Sequence, residues 1–205
     1  MNGVSLLIAM CSCLTMAACS IGRPTPRPTT YIVDPPASGA PSSDPRRPET
    51  LRMGSVRVAA PYARSELVYR LDDVRYASDP YHTFVAEPGA MLGSRMAEWL
   101  DRAGPFSLVA QPGSARPASY VLEASVAELY GDFRAGQPPA AVLAVQFALI
   151  DQGGVRPRVL YERSIARRVD LPKASPEVLV RGYGTALAEI LAQVASELGA
   201  QIPHQ

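Results

Sequence analysis

Alternation of apolar and polar residues predicts β-strands along most of the chain from about residue 51. The clearest case is the segment 140–151, where Leu143, Val145, Phe147 and Leu149 occupy every second position. The predicted strands over 119–133 and 140–151 are joined by a turn that contains Gly and Pro, so we expect them to form an antiparallel hairpin. In chain order, the predicted strands cover residues 54–61, 66–71, 74–77, 82–86, 106–110, 119–133, 140–151 and 159–169.

Two segments have the three- and four-residue spacing of apolar side chains that is typical of α-helices. The first begins at Pro88 and ends before Gly104, and Trp99 lies on its apolar stripe, which predicts a core position for this side chain. The second follows Ser175, a residue type favoured at helix N-caps, and covers about 176–199. Two helices on one face of a largely antiparallel sheet predict an α+β fold, a two-layer sandwich.

The N-terminus carries an uncharged apolar segment over residues 4–18. As a helix it would be about 22 Å long, which is too short for a hydrocarbon core of roughly 30 Å and is typical of a signal peptide. It ends in Met16-Ala17-Ala18-Cys19, which resembles a bacterial lipobox. We therefore expect residues 1–18 to be removed and Cys19 to be lipidated, with an ordinary secretory signal cut near Ala18 as the alternative.

The segment that follows Cys19 is rich in Pro, Ser and Arg up to residue 50, which predicts an extended tether over 19–50 and a folded domain over 51–200. Tyr31-Ile32-Val33 interrupts this composition. It is either a short edge strand, which we favour, or an isolated apolar spot in a linker. Ser20 follows the cysteine, and by resemblance to sorting in Gram-negative lipoproteins this predicts the periplasmic face of the outer membrane.

Composition and motifs argue against several classes of function. The formal net charge of +1 produces no field that would attract nucleic acid. The chain has no sequence motif of a nucleotide-binding loop, a nucleophile elbow or a zinc protease. His82 follows Asp79 within one short segment, which is more typical of a loop pair than of a proton-transfer site. We expect no metal, no cofactor and no enzyme activity.

Arginine accounts for 19 of the 20 basic residues of the chain. Arg163, Arg167 and Arg168 fall in one predicted strand together with Ser164 and Ala166. They are candidates for a patch that binds the phosphate or carboxylate groups of a lipid or a partner. The alternative is a solvated edge strand that its charges protect from pairing with other strands.

Short motifs occur in a fixed order from the lipobox to the second helix. The motifs are Met16-Ala17-Ala18-Cys19, Tyr31-Ile32-Val33, Val56-Arg57-Val58, Pro61-Tyr62, Leu67-Val68-Tyr69-Arg70, Tyr81 to Pro88, and Phe106 after Gly104. In this order they resemble the ABC-type transport auxiliary lipoproteins, the PqiC-like family, over residues 16–199.

The resemblance implies a non-enzymatic outer-membrane lipoprotein that works with an MCE-domain protein and its inner-membrane transporter in lipid transport. The alternative is a lipoprotein activator of a peptidoglycan-synthesis enzyme. A single domain of this size has little apolar surface left to enclose an acyl chain, so we also expect a homo-oligomer. The segment 133–139 is the candidate contact.

Overall fold

The computed structural model describes residues 27–36 and 46–201, which form eight strands, two α-helices and a short 3-10 helix, Ala60–Tyr62. The strands and helices cover most of the described residues. Their bounds are β1 Thr29–Tyr31, β2 Arg47–Val58, β3 Glu66–Arg70, β4 Tyr76–Phe84, α1 Pro88–Ala103, β5 Phe106–Ala110, β6 Tyr120–Asp132, β7 Ala140–Asp151, β8 Arg158–Asp170 and α2 Pro176–Gln201.

The strands form one mixed sheet with β6 at its centre. Along one edge β6 pairs with β7, and β7 pairs with β8. Along the other edge β6 pairs first with β2 and then with β3. Strand β5 extends the sheet beyond β2, and β4 and β1 extend it beyond β3. Most paired residues belong to the antiparallel pairs β3–β4, β6–β7 and β7–β8, so the predicted α+β sandwich is confirmed.

Helix α1 forms where its periodicity predicts. Pro88 stands at the first turn, where its missing N–H costs no hydrogen bond, and the Gly104 N–H closes the last turn on the Leu100 carbonyl at 2.7 Å. Met96 and Trp99 are fully buried on the face that packs against β2 and β5. The predicted core position of Trp99 is therefore confirmed.

Helix α2 packs beside α1 on the same face of the sheet, over β7 and β8. Leu187, Ile190 and Val194 are fully buried, as the three- and four-residue spacing predicts. The main core lies between this sheet face and the two helices. We call the opposite side of the sheet the open face.

A bulge in β6 changes which residues reach the open face. The pairing with β7 shifts between Val126 and Glu128, so one extra residue stands on β6. Before the bulge Leu122 faces the helices, and after it Tyr130 and Asp132 face away from them. Uninterrupted alternation would have placed Tyr130 on the helix face together with Leu122.

Three strand predictions differ from the structure. β2 begins at Arg47 rather than at residue 54, because Pro48 lies at an irregular register where a proline is tolerated. The two short strands predicted over 74–77 and 82–86 are the single strand β4, which accommodates Pro80 at a register shift. The short strand of the expected tether covers 29–31 instead of 31–33.

The segment expected to be a tether thus contributes folded structure at 29–36 and 46–50. Over the described ranges 27–36 and 46–201, no helix has the length and apolar character needed to cross a membrane.

Candidate functional site

Three tyrosines form an aromatic cluster on the open face. Tyr130 is nearly buried between Tyr62, which stacks on it at 5.9 Å between ring centroids, and Tyr76, which meets it edge-on at 5.5 Å. Val68 and Val142 complete this tyrosine cluster from β3 and β7. Tyr62 reaches it from the 3-10 helix that follows β2. The cluster gives the open face an area of packed aromatic rings.

Burial raises the pKa of Tyr62 to about 12, and the neighbouring phenols of Tyr76 and Tyr130 add to the increase. The Tyr62 hydroxyl is therefore protonated throughout the physiological range, and a hydrogen bond with Tyr76 contributes to the raised pKa. The guanidinium carbon of Arg70 lies 5.9 Å from the centroid of the Tyr76 ring, within the range of a cation–π contact. Tyr76 is about half exposed, so part of this cluster faces solvent.

Asp132 lies beside the tyrosine cluster and is only 1% exposed. Arg134 donates two hydrogen bonds to its carboxylate, both at 2.9 Å, and Arg168 donates a third at 2.6 Å. These guanidinium groups, Arg134 first, outweigh burial and hold the pKa of Asp132 well below its usual range. Asp132 is therefore ionised and satisfied, which is the state in which a buried carboxylate is stable.

The network around Asp132 joins several parts of the open face. Arg134 also donates to Asp73 in the β3–β4 turn at 3.1 Å, and Asp73 lies 3.6 Å from Arg70. Arg168 in turn donates to the carbonyl of Pro138 at 3.1 Å. The two hairpin turns at this end of the sheet are thus linked by charge pairs. The arrangement positions a recognition surface and carries no nucleophile or proton relay of its own.

Tyrosine and arginine are the residue types that dominate the energetics of protein interfaces. The tyrosine cluster and the adjacent Arg70 combine both types, and Tyr76 and Tyr130 stand on strands of the sheet. A groove of about 350 Å³ in the β3–β4 and β6–β7 turns is lined by charged and turn residues that include Asp72, Arg75 and Arg134. The open face is better suited to contact with another macromolecule than to enclosing a small ligand.

The structure does not bring the three arginines predicted as an anion patch together. Arg163 and Arg167 extend from β8 toward α2, where they pair with Glu197 at 3.3 Å and Glu189 at 3.4 Å. Arg168 lies on the open face and binds Asp132. Neighbouring residues in a strand point to opposite faces, which separates Arg168 from Arg167. β8 lies at the edge of the sheet, which agrees with the alternative that these arginines belong to a solvated edge strand.

Asp79 and His82 form a hydrogen-bonded pair, with 2.7 Å between His82 Nδ1 and Asp79 Oδ2. Asp79 also accepts the hydroxyl of Tyr69 at 2.8 Å and the backbone N–H of Tyr81 at 2.9 Å. Burial alone would raise the pKa of Asp79, but these donors lower it on balance. These contacts of the carboxylate hold the irregular part of β4 around Pro80, where the pairing with β3 shifts register.

Cys19 lies outside the described residues. Within the parts of the chain that the structure covers, no group of three or more His, Cys, Asp or Glu side chains is arranged to hold a metal ion.

Sequence reasoning predicted a short edge strand in the N-terminal strap, which we define as residues 29–36, but it missed the contacts that the strap makes with the helices. Its strand β1 pairs with β4, and the Val85 N–H donates to the Tyr31 carbonyl at 2.8 Å. The Tyr31 hydroxyl reaches Glu177 at the start of α2, at 3.3 Å. Val33 is fully buried in the main core.

Beyond Val33 the strap contacts both helices. The Trp99 indole donates to the Pro36 carbonyl at 3.0 Å, and Arg95 lies 3.8 Å from Asp34. Gly184 of α2 allows close approach, because a Cβ at this position would be 2.7 Å from the Asp34 carbonyl oxygen. A buried indole N–H requires an acceptor, and this was the signal that sequence reasoning could have used.

Comparison with known proteins assigns the family. A family model described as the ABC-type transport auxiliary lipoprotein component matches residues 31–195. The chain belongs to this family. The match begins within the strap of this transport auxiliary lipoprotein and ends within α2, so it covers both the tyrosine cluster and the Asp132 network.

Solved structures share the fold of this transport auxiliary lipoprotein. The crystal structure of protein XCC0632 from Xanthomonas campestris is 14% identical, with a TM-score of 0.67, over 85% of this chain and 94% of the other. A second crystal structure, of an uncharacterized protein, is 17% identical, with a TM-score of 0.62, over 86% of this chain and 99% of the other. The hypothetical protein CT253 from Chlamydia trachomatis is 11% identical, with a TM-score of 0.51, over 76% and 98%. No curated protein matches.

Proposed function

We propose that the protein is an outer-membrane-anchored periplasmic lipoprotein that docks an MCE-type, Pqi-like lipid transport system. The observation that carries the proposal is the family match over residues 31–195, which makes the chain a transport auxiliary lipoprotein. The lipobox that ends at Cys19 supports the anchor, and Ser20 supports sorting to the outer membrane. The transporter in the inner membrane and its MCE-domain protein are the proposed partners.

The geometry favours docking of a partner protein over carrying a lipid in a cavity. Both helices lie on one face of the sheet, and their apolar side chains are used in a single core. The open face presents the tyrosine cluster, whose rigid aromatic surface is of the kind found at interface hot spots. A chain that offers a surface rather than a cavity is suited to holding a partner in place. No catalytic role is part of this proposal.

Self-association remains a prediction, with the segment 133–139 as the candidate contact. Phe133 already stacks on Tyr69 at 5.0 Å between ring centroids, and Arg134 is engaged by Asp132. A second copy would therefore contact the exposed part of this turn, residues 135–138. Light scattering of the chain from residue 20 onward decides between a ring and a monomer that caps its partner.

The anchor is tested with Cys19→Ser in the native host. We expect the wild-type chain to sediment with outer membranes through a salt wash and the variant to appear in the soluble periplasmic fraction. A variant that still sediments with outer membranes after the wash contradicts the anchor.

The docking role is tested with a photo-crosslinking amino acid at Ala63, an exposed residue beside Tyr62. Ala115, an exposed alanine in the β5–β6 loop, is the matched control. We expect an MCE-domain protein to be captured from position 63 and not from position 115. Capture of a peptidoglycan-synthesis enzyme from position 63 would support the alternative function instead.

A further inference from the structure

The β3–β4 turn, residues 71–75, exposes apolar side chains at one end of the sheet. Val74 is 86% exposed, and Leu71 is also exposed. The turn is held by Asp72, whose Oδ1 accepts the backbone N–H groups of Val74 at 2.9 Å and Arg75 at 2.7 Å. The backbone thus fixes the turn and presents Val74 to the surroundings.

Charges in and around this turn are mutually compensated. Asp72 pairs with Arg75, and these contacts lower the pKa of Asp72 to about 2, so the pair is ionised at neutral pH. Asp73 is shared between Arg70 and Arg134. Because these charges are paired, the exposed apolar side chains of Leu71 and Val74 are the main groups of the turn without a packing partner.

The direction of β1 shows on which side the N-terminal segment leaves the domain. β1 runs parallel to β4, which starts at Tyr76 beside the turn and runs away from it. β1 therefore enters the sheet from the end that carries the turn. The strap fixes this direction, because its far end is held between the helices by Trp99 and Gly184.

The distances are short enough to bring the turn to a membrane. Thr30 is level with Thr83, and Thr83 pairs with Glu66. Four residues separate Glu66 from Arg70, which is about 13 Å along the strand. Eleven residues separate Thr30 from Cys19, which is at most about 38 Å. The reach of these eleven residues is about three times the distance from Thr30 to the level of the turn, so it is long enough for Cys19 to lie at the level of the turn or beyond it.

We propose that the β3–β4 turn rests on the membrane that holds the anchor, with Val74 and Leu71 in the interfacial region. The proposal rests on the proposed lipidation of Cys19, since the anchor brings the turn and the lipid surface together. The contact is apolar, because the neighbouring charges are paired. It orients the sheet with its strands standing on the membrane and the open face accessible from the periplasm.

The opposite end of the sheet offers a matched control. The β7–β8 turn carries Val155, which is fully exposed, next to the paired strand ends Asp151 and Arg158. Asp151 also pairs with Tyr120 at the start of β6, whereas the end of β6 at Asp132 lies by Arg70 and the β3–β4 turn. Val74 and Val155 are thus exposed valines at opposite ends of one sheet.

The experiment uses the mature lipidated chain, from Cys19 onward, in vesicles of phosphatidylethanolamine and phosphatidylglycerol. The mature chain has Cys19 as its only cysteine, and that thiol is acylated, so Val74→Cys and Val155→Cys each take one environment-sensitive fluorophore. We expect lipid-attached quenchers to reduce the fluorescence at position 74 several-fold more than at position 155. The difference should persist in high salt. Leu71→Cys provides a second reporter on the same turn.

Equal quenching at positions 74 and 155, with the chain bound to the vesicles, overturns the proposal and leaves the anchor intact. Loss of the difference in high salt also overturns it, because the contact would then be electrostatic. A wild-type chain that fails to float with the vesicles contradicts the proposed lipidation instead. The two proposals therefore fail in different ways.

Discussion

The indole nitrogen of Trp99 donates a hydrogen bond to the carbonyl oxygen of Pro36 at 3.0 Å. The contact joins the middle of the chain to a segment 63 residues earlier and fastens the end of the strap to α1. In the proposed lipid-anchored state, a pull on Cys19 reaches the domain through the strap, which among the described residues is the first part of the chain that packs on the domain. The contacts of the strap with the helices therefore determine how the domain is held.

Gly184→Ala should loosen the strap. The added Cβ would stand 2.7 Å from the Asp34 carbonyl oxygen, and neither backbone can move without disturbing packing. We expect a loss of about 1–3 kcal/mol in the free energy of unfolding, as is typical of overpacking. Hydrogen exchange should increase at residues 29–36 more than elsewhere in the domain.

Gly199→Ala is the control on the same helix. Its Cβ would meet nothing closer than 3.9 Å, so the better helix propensity of Ala should raise stability by up to about 1 kcal/mol. Equal exchange of the strap in both glycine variants would show that Gly184 does not hold it.

Substitutions of Trp99 separate packing from hydrogen bonding. Trp99→Ala removes a fully buried side chain and should cost about 3–5 kcal/mol, a large part of the stability of a domain of this size. Trp99→Phe retains much of the volume and loses the bond to Pro36, which adds about 1 kcal/mol to the packing loss. Thermal unfolding measures both, and an unchanged melting temperature in Trp99→Ala would place the side chain on the surface.

The length of a periodic pattern explains which parts of the fold were predictable. β7 and both helices have ten or more residues of regular pattern, β6 alternates regularly up to its bulge, and each was predicted within a few residues of its observed bounds. Pro88 and Gly104 mark the ends of α1 by local chemistry alone. The start of β2 was missed because Pro48 and the neighbouring arginines have the composition of a linker, and only its neighbours β5 and β6 make it a strand.

The candidate site depends on contacts that a local pattern does not contain. The β6 bulge, which moves Tyr130 to the open face, appears only in the pairing with β7. Asp132 obtains its partners from the following turn and from β8, 36 residues later. The sequence placed Arg167 and Arg168 in one strand correctly, and strand geometry alone is enough to assign them to opposite faces.

Asp132→Asn should destabilise the protein in a pH-dependent way. The pKa of Asp132 is lower in the folded state than in the unfolded chain, where it is about 3.9. The ionised carboxylate therefore stabilises the fold above about pH 3.9, and this stabilisation is lost as the pH falls toward the folded-state pKa. At neutral pH we expect a loss of about 2–3 kcal/mol, since hydrogen bonds to Arg134 and Arg168 lose their charged acceptor. Urea unfolding at several pH values should show the two proteins converging below about pH 4.

Asp170→Asn provides the comparison, because Asp170 is largely exposed and lies 3.7 Å from the same Arg168. Its effect should stay within about 0.5 kcal/mol at every pH. A difference between wild type and Asp132→Asn that stays constant down to strongly acidic pH would contradict the charge network.

The three arginines of β8 should differ from one another when each is replaced by Ala. Arg168 pairs with the buried Asp132, so Arg168→Ala should lower the free energy of unfolding by about 1–2 kcal/mol. This loss is smaller than for a fully buried ion pair because Arg168 is itself partly exposed. Arg163 pairs with Glu197 at the surface, and Arg163→Ala should stay within about 0.5 kcal/mol. Arg167→Ala should have an effect between these two, since this side chain also donates to Gln193 at 2.6 Å.

Binding of the protein to anionic vesicles should be the same in all three variants as in the wild type, because the arginines face different surfaces and are paired. An equal loss of vesicle binding in all three variants would instead support a single anion-binding patch.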